Sequence, residues 1–219
     1  MDVWHITWFT IVAATLATAL MLPPGVLIAW LLARRRFWGR SVVETIVSLP
    51  LVLPPVATGL ILLILLSRRG IVGRLLADLG IEVVFTAKAV VLAMAAMGLP
   101  LLVRTARAGF EHVDRRYEDV AATLGASPAR VFFTISLPLA APSVVAGAVL
   151  GFARALGEFG ATIMVAGSIP GVTRTLAVAI YTYSETGQDG PALALIGISA
   201  VIAFAALWFA NRLSERRIA

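Results

Sequence analysis

Residues 117–138 read YEDVAATLGASPARVFFTISLP, a half-polar stretch set between long apolar runs. Its first part, Tyr117 to Leu124, reads as a short helix carrying Ala121 and Ala122. Gly125 follows, the residue type that ends a helix in a left-handed turn. Ser127 has a side chain able to cap a second helix, and Pro128 suits its first position, where a missing N–H costs nothing. That second helix carries Val131, Phe132, Phe133 and Ile135 and then meets Pro138. The stretch is therefore predicted to be a helix–glycine–helix elbow. Two uses fit it: an ordinary connection between two membrane helices, or a small-residue surface shaped to enter a groove on another protein.

The chain around the elbow is far more apolar than a soluble domain. Of its 219 residues 60% are hydrophobic, and the mean hydropathy is +0.95; a soluble protein is nearer half apolar. The excess falls in runs long enough to cross a bilayer, which takes about 20 residues per helix. Charged residues make up 14% and cluster between the runs. The fold class is thus all-α, a single polytopic membrane domain over residues 1–219. Its predicted spans are about 6–33, 42–66, 85–103, 138–160 and 192–210, with the elbow inside a loop over 104–137. The N-terminus, MDVWHITW, lacks the basic front of a signal peptide.

Local irregularities mark particular runs. Pro23-Pro24-Gly25 should kink the first. Pro50, Pro54 and Pro55 rule out a straight second helix. Broken helices in transporters often line a path or gate, although a bent structural helix fits as well. Ile71, Val72, Leu75, Leu76 and Leu79 recur at helical spacing and suggest an interfacial helix. Gly147, Gly151 and Ala155 form a ladder of small residues four apart, a helix-packing signal. Arg154 and Glu158, also four apart, could pair on one helix face. Charges at membrane depth usually face a bundle interior or water, so this pair and the nearby Thr162 join Pro50, Pro54 and Pro55 as pathway or gate candidates. A purely structural ion pair is the competing reading.

Basic residues orient the chain. With five spans and the N-terminus outside, Arg34, Arg35, Arg36, Arg40, Arg104, Arg107, Arg115, Arg116, Arg130, Arg212, Arg216 and Arg217 fall on the inner side. Only Arg68, Arg69, Arg74, Lys88 and Arg174 fall outside, and Arg154 lies within the membrane. This bias predicts a periplasmic N-terminus, a cytoplasmic C-terminus and a cytoplasmic elbow. It also accounts for the net charge of +6 without a nucleic-acid partner.

Several chemistries lack their residues. The chain has no Cys, and its two histidines, His5 and His112, have no partner at metal-ligand spacing, so no metal site is expected. No G-x4-G-K-[ST] phosphate loop, H-E-x-x-H or G-x-S-x-G occurs, so ATP binding by that loop, metalloprotease chemistry and the serine-hydrolase elbow are not expected. An ion-driven carrier would show several acids within its spans, and Glu158 is the one candidate. An intramembrane enzyme and such a carrier stay as remote alternatives.

Asp119-Val120-Ala121, Gly125 and Ile135-Ser136-Leu137-Pro138 resemble the E-A-A-x3-G-x9-I-x-L-P loop of bacterial ABC importer permeases, at the full spacing. Asp119 replaces the Glu and Val120 the first Ala. Residues 49–56 (LPLVLPPV), Arg68-Arg69-Gly70, residues 153–162 (ARALGEFGAT) and Ile169-Pro170-Gly171 are similar to the permease subunits of molybdate ABC importers, in the same order. The resemblance implies a type I permease fold in the bacterial inner membrane. It implies a homodimer, two cytosolic ATPase subunits that use ATP, and a periplasmic oxyanion-binding protein. It assigns ATPase coupling to Asp119, Ala121, Ala122, Gly125, Ile135, Leu137 and Pro138. The expected function is import of molybdate, with tungstate not distinguished from it, by alternating access, with no cofactor on this chain and no catalysis by it. Sulfate or thiosulfate import is the alternative within the same family.

Overall fold

A computed structural model describes residues 3–215, with side chains except at 209–211 and 213–215. Arg216 and Arg217, counted above on the inner side, lie outside the described residues. The order is α1 (Val3–Arg34), α2 (Arg40–Val52), α3 (Pro55–Leu66), α4 (Ile71–Asp78), α5 (Ala87–His112), α6 (Arg115–Thr123), α7 (Pro128–Val131), a π turn (Phe132–Ser136), α8 (Leu137–Leu156), α9 (Gly160–Ala166), α10 (Leu176–Glu185) and α11 (Asp189–Glu215). Among the described residues there is no strand. Also among the described residues, four helices are long and apolar enough to cross a membrane, and a fifth crossing results if α2 and α3 count as one span.

The bundle is built on α1, α5 and α8. The small-residue ladder on α8 seats against α5 and α1: a Cβ on Gly147 would stand 3.1 Å from the Leu102 carbonyl oxygen of α5, and one on Gly151 would stand 3.3 Å from the Gly98 carbonyl oxygen of α5 and clash with Met21 of α1. Gly109 faces Ser143 on the same pair, so α5 and α8 run antiparallel at close range, as small residues allow in lipid. The main core joins Ala13, Ala17 and Met21 of α1, Ala93, Met94 and Met97 of α5, and Ala155 and Leu156 of α8. Ile6 at the start of α1 packs with Leu176 and with Leu195 near the start of α11. The ends of α1 and α5 meet where Arg34 Nη2 donates to the Val113 carbonyl at 2.8 Å. Thus α1, α5 and α11 run parallel.

Helix α1 is continuous through Pro23-Pro24, whose rings lie on the exposed side while Gly25 is buried against Leu102. Three features differ from the expectations above. The stretch 104–137 is mostly helix rather than loop, because α5 extends to His112 and α6 and α7 follow. The fourth apolar helix starts near Pro128, ten residues before Pro138, and is continuous to Leu156. Pro138 is absorbed by the π turn, in which the Leu137 N–H reaches back to the Phe132 carbonyl; widening the turn accommodates a proline that an ordinary helix would reject. Finally, α8 ends at Leu156, so Arg154 and Glu158 do not share one helix.

The second run breaks as its prolines require. The chain bends by 117° between α2 and α3; Pro50 lies inside α2, Pro54 caps α3, and Pro55 takes its first turn. Helix α3 crosses α9 at backbone contact. A Cβ on Gly59 would lie 2.7 Å from the Ala161 Cα and carbonyl oxygen, atoms that cannot rotate away. Gly59→Leu is therefore expected to separate α3 from α9 at a cost of about 1–3 kcal/mol for overpacking. Thermal unfolding of the detergent-solubilised chain should show a lowered midpoint, and an unchanged one would show that the crossing is loose.

Candidate functional site

Two regions carry the residues singled out from the sequence. The first is the elbow. Asp114 caps α6, its Oδ1 accepting from the Arg116 N–H at 2.9 Å. Helix α6 ends in a paired closure: the Gly125 N–H donates to the Ala122 carbonyl at 3.0 Å and the Ala126 N–H to the Ala121 carbonyl at 3.0 Å. This is the left-handed glycine stop of a helix, and Gly125 has φ +85°. Ser127 Oγ accepts from the Arg130 N–H at 3.4 Å, with Pro128 in the first turn. Asp119, Ala122, Gly125 and Pro138 are exposed, while Ala121, Ile135 and Leu137 are half-buried. The elbow thus presents Asp119, Ala122 and the glycine turn outward, while Leu137 packs on the core with Phe110, Ala140 and Val144. Asp119 has no hydrogen-bond or ion-pair partner among the described residues.

The residue missed in the sequence is Glu118. Its Oε1 accepts from Arg34 Nε at 3.0 Å and from Ser136 Oγ at 2.7 Å. Its i,i+1 position beside Asp119 gave no hint of a partner 84 residues away in the chain. A cavity of about 260 Å³ opens beside it, lined among others by Trp30, Arg34, Arg115, Asp119 and Ala122. Further along the same end, Arg107 pairs with Glu44 at 2.6 Å and with Glu111 at 2.7 Å, fastening α2 to α5.

The second region is the break between α8 and α9. Glu158 is 1% exposed and fully bonded. Its Oε2 accepts from Arg154 Nη1 at 2.7 Å, and its Oε1 from the Ala161 N–H at 2.7 Å. Thr162 Oγ1 donates to the Phe159 carbonyl at 2.8 Å. The α2–α3 bend arrives at the same place, where a Cβ on Gly160 would lie 2.7 Å from Pro55 Cβ. Pro55, Arg154, Glu158 and Thr162 are therefore brought together, whereas Pro50 stays back within α2. Thr58, next to Gly59 in this crossing, was also missed. Thr7, Thr10, Thr18 and Thr182 fold their hydroxyls onto the carbonyl four residues back. Thr58 Oγ1 is buried with no partner among the described residues.

The arrangement is two helix breaks, α2–α3 and α8–α9, closed on each other, with an exposed elbow at the arginine-rich end. No group of three metal-binding side chains occurs among the described residues. The chain belongs to the family described as binding-protein-dependent transport system inner membrane components, which it matches over residues 25–219. It is 44% identical over 219 residues to the molybdenum transport system permease protein ModB of Escherichia coli strain K12, covering 97% of this chain and 96% of that one. It is 46% identical over 192 residues to the ModB of Mycobacterium tuberculosis, covering 87% and 72%. The sulfate transport system permease protein CysT of Salmonella typhimurium is 35% identical over 207 residues, covering 94% and 75%. Among solved structures, the fold is shared with a chain of a bacterial alginate ABC transporter (TM-score 0.71, 20% identity, 97% of this chain and 78% of that one). It is shared too with a chain of the inward-facing MetNI methionine ABC transporter (TM-score 0.63, 17% identity, 96% and 93%). These likenesses bear out the all-helical permease fold implied by the elbow pattern.

Proposed function

We propose that this chain is the permease subunit of an ATP-driven molybdate importer in the bacterial inner membrane. The observation that carries the reading is the 44% identity, over nearly both full lengths, to a molybdenum transport permease. The pathway is formed by two copies of the chain. Two cytosolic ATPase subunits bind the elbows and hydrolyse ATP, and a periplasmic protein delivers the oxyanion. Asp119, Ala121, Ala122 and Gly125 receive the ATPase, with Ile135, Leu137 and Pro138 carrying the motion into α8. Pro54, Pro55, Arg154, Glu158 and Thr162 form the gate region, where the α2–α3 and α8–α9 breaks meet. Tungstate, a tetrahedral dianion like molybdate, is accepted as well. The weaker likeness to a sulfate permease makes sulfate the second reading.

Uptake of labelled molybdate into vesicles holding this chain, its ATPase and its binding protein tests the proposal. Uptake should require ATP and all three proteins, and tungstate should compete while sulfate does not. Competition by sulfate would shift the substrate to sulfate. Uptake that survives without the ATPase but collapses with the ion gradient would overturn the importer reading.

The N-terminus lies in the periplasm and the elbow in the cytoplasm, following the excess of arginine at the ends of α1 and α5 and along the elbow. The chain has no cysteine, so single-cysteine labelling is clean. Ala129→Cys should react with a membrane-impermeant maleimide only in inside-out vesicles, and Gln188→Cys only in right-side-out ones. The reverse pattern would invert the topology.

A further inference from the structure

The two adjacent acids of the elbow face opposite ways. Asp119 is exposed and without a partner among the described residues. Glu118 turns inward, with its side chain 18% exposed and that of its partner Arg34 7% exposed. Arg34 also donates to the Val113 carbonyl at 2.8 Å, and Ser136 Oγ donates to Glu118 at 2.7 Å. One ion pair thus joins the last residue of α1, the cap of α5, helix α6 and the π turn leading into α8. Beside it the ring of Trp30 on α1 meets Phe132 at 5.3 Å, and Phe132 meets Phe110 of α5 at 6.2 Å.

Helix α6 needs this pair for position more than for folding. It has its own cap at Asp114 and its own glycine stop. Yet none of its residues is fully buried, so apolar packing alone would let it slide over the bundle. A charge-assisted bond has a fixed direction that apolar contact lacks. A pair that is partly desolvated adds little net stability and holds geometry instead.

We propose that Glu118, rather than Asp119, is the acid through which the elbow moves the membrane helices. The Arg34–Glu118–Ser136 cluster is a positioning joint that converts displacement of α6 into displacement of α1 and α8. Asp119 lies on the outer surface, where the ATPase docks. The inference rests on the reading that an ATPase docks on the elbow.

The test measures molybdate carried per ATP hydrolysed, normalised to assembled complex, in proteoliposomes containing the ATPase and the binding protein. The variants are Glu118→Gln, Arg34→Gln, both together, and Asp119→Asn. Each of the first two should lower that ratio by about tenfold, the size of coupling seen between contacting charged groups, and the double variant should be no worse than either single one. Asp119→Asn should instead lower the yield of assembled complex, the loss expected of a residue that docks the ATPase. A parental ratio for Glu118→Gln, independent effects that multiply in the double variant, or fewer complexes with an unchanged ratio in each would overturn the joint. Parental uptake that does not need the ATPase would instead overturn the importer reading itself.

Discussion

Glu158→Ala is expected to abolish uptake. The carboxylate is 1% exposed, and each of its oxygens has a partner at 2.7 Å. One partner, Arg154, keeps 27% of its side-chain surface and would be left as an uncompensated cation at membrane depth. Removing one member of a buried pair costs about 3–5 kcal/mol, and the partial exposure of Arg154 sets the lower end of that range. The other partner, the Ala161 N–H, would be buried without an acceptor, at about 1–3 kcal/mol. Both losses fall where α9 begins and Pro55 touches Gly160, so the closed contact between the two helix breaks should open. Glu158→Gln separates shape from charge. Its amide oxygen can still accept from Ala161, but its NH2 group faces the Arg154 guanidinium, donor against donor. Gln is therefore expected to yield folded protein with uptake reduced by at least about tenfold, equivalent to some 1.4 kcal/mol in the rate-limiting step. Uptake by Glu158→Gln at the parental rate would remove the pair from the gate and leave it a packing contact.

Gly125→Val is expected to disconnect the importer from its ATPase. Gly125 has φ +85°, which costs an ordinary L-residue about 1–2 kcal/mol and is worse for a β-branched one. Nothing lies within 4 Å of where a Cβ would stand, so Val would meet no steric conflict within the chain. The whole effect has to come through the backbone turn, or through whatever docks against it. Asn tolerates the left-handed conformation, which makes Gly125→Asn the informative companion. If the turn alone matters, Asn restores ATPase co-purification and uptake while Val loses both. If the partner's surface approaches the glycine closely, both variants fail together. Full assembly and transport by Gly125→Val would show that the elbow is only a connection between helices.

The elbow was legible because its signals are local. A glycine stop, a serine cap and a first-turn proline act within four or five residues, and each took the predicted position. The proline break near residue 54 and the glycine ladder on α8 were legible for the same reason, since backbone geometry and side-chain size are properties of the residue itself. The apolar runs also gave the membrane class, because burying the backbone in lipid leaves few alternatives to helices. Helix boundaries were less readable. Polarity marks where the chain leaves the apolar layer, but hydrogen bonding carries α5 to His112 and starts the fourth long helix at Pro128, beyond those marks. The pairing of Glu118 with Arg34, the seating of Gly59 on Ala161 and the unpartnered hydroxyl of Thr58 depend on residues brought together from distant parts of the chain. Sequence alone determined that two acids stand side by side on a short helix. Only the tertiary structure decided that one turns inward to a buried arginine and the other outward, because that choice follows from where α1 ends relative to α6.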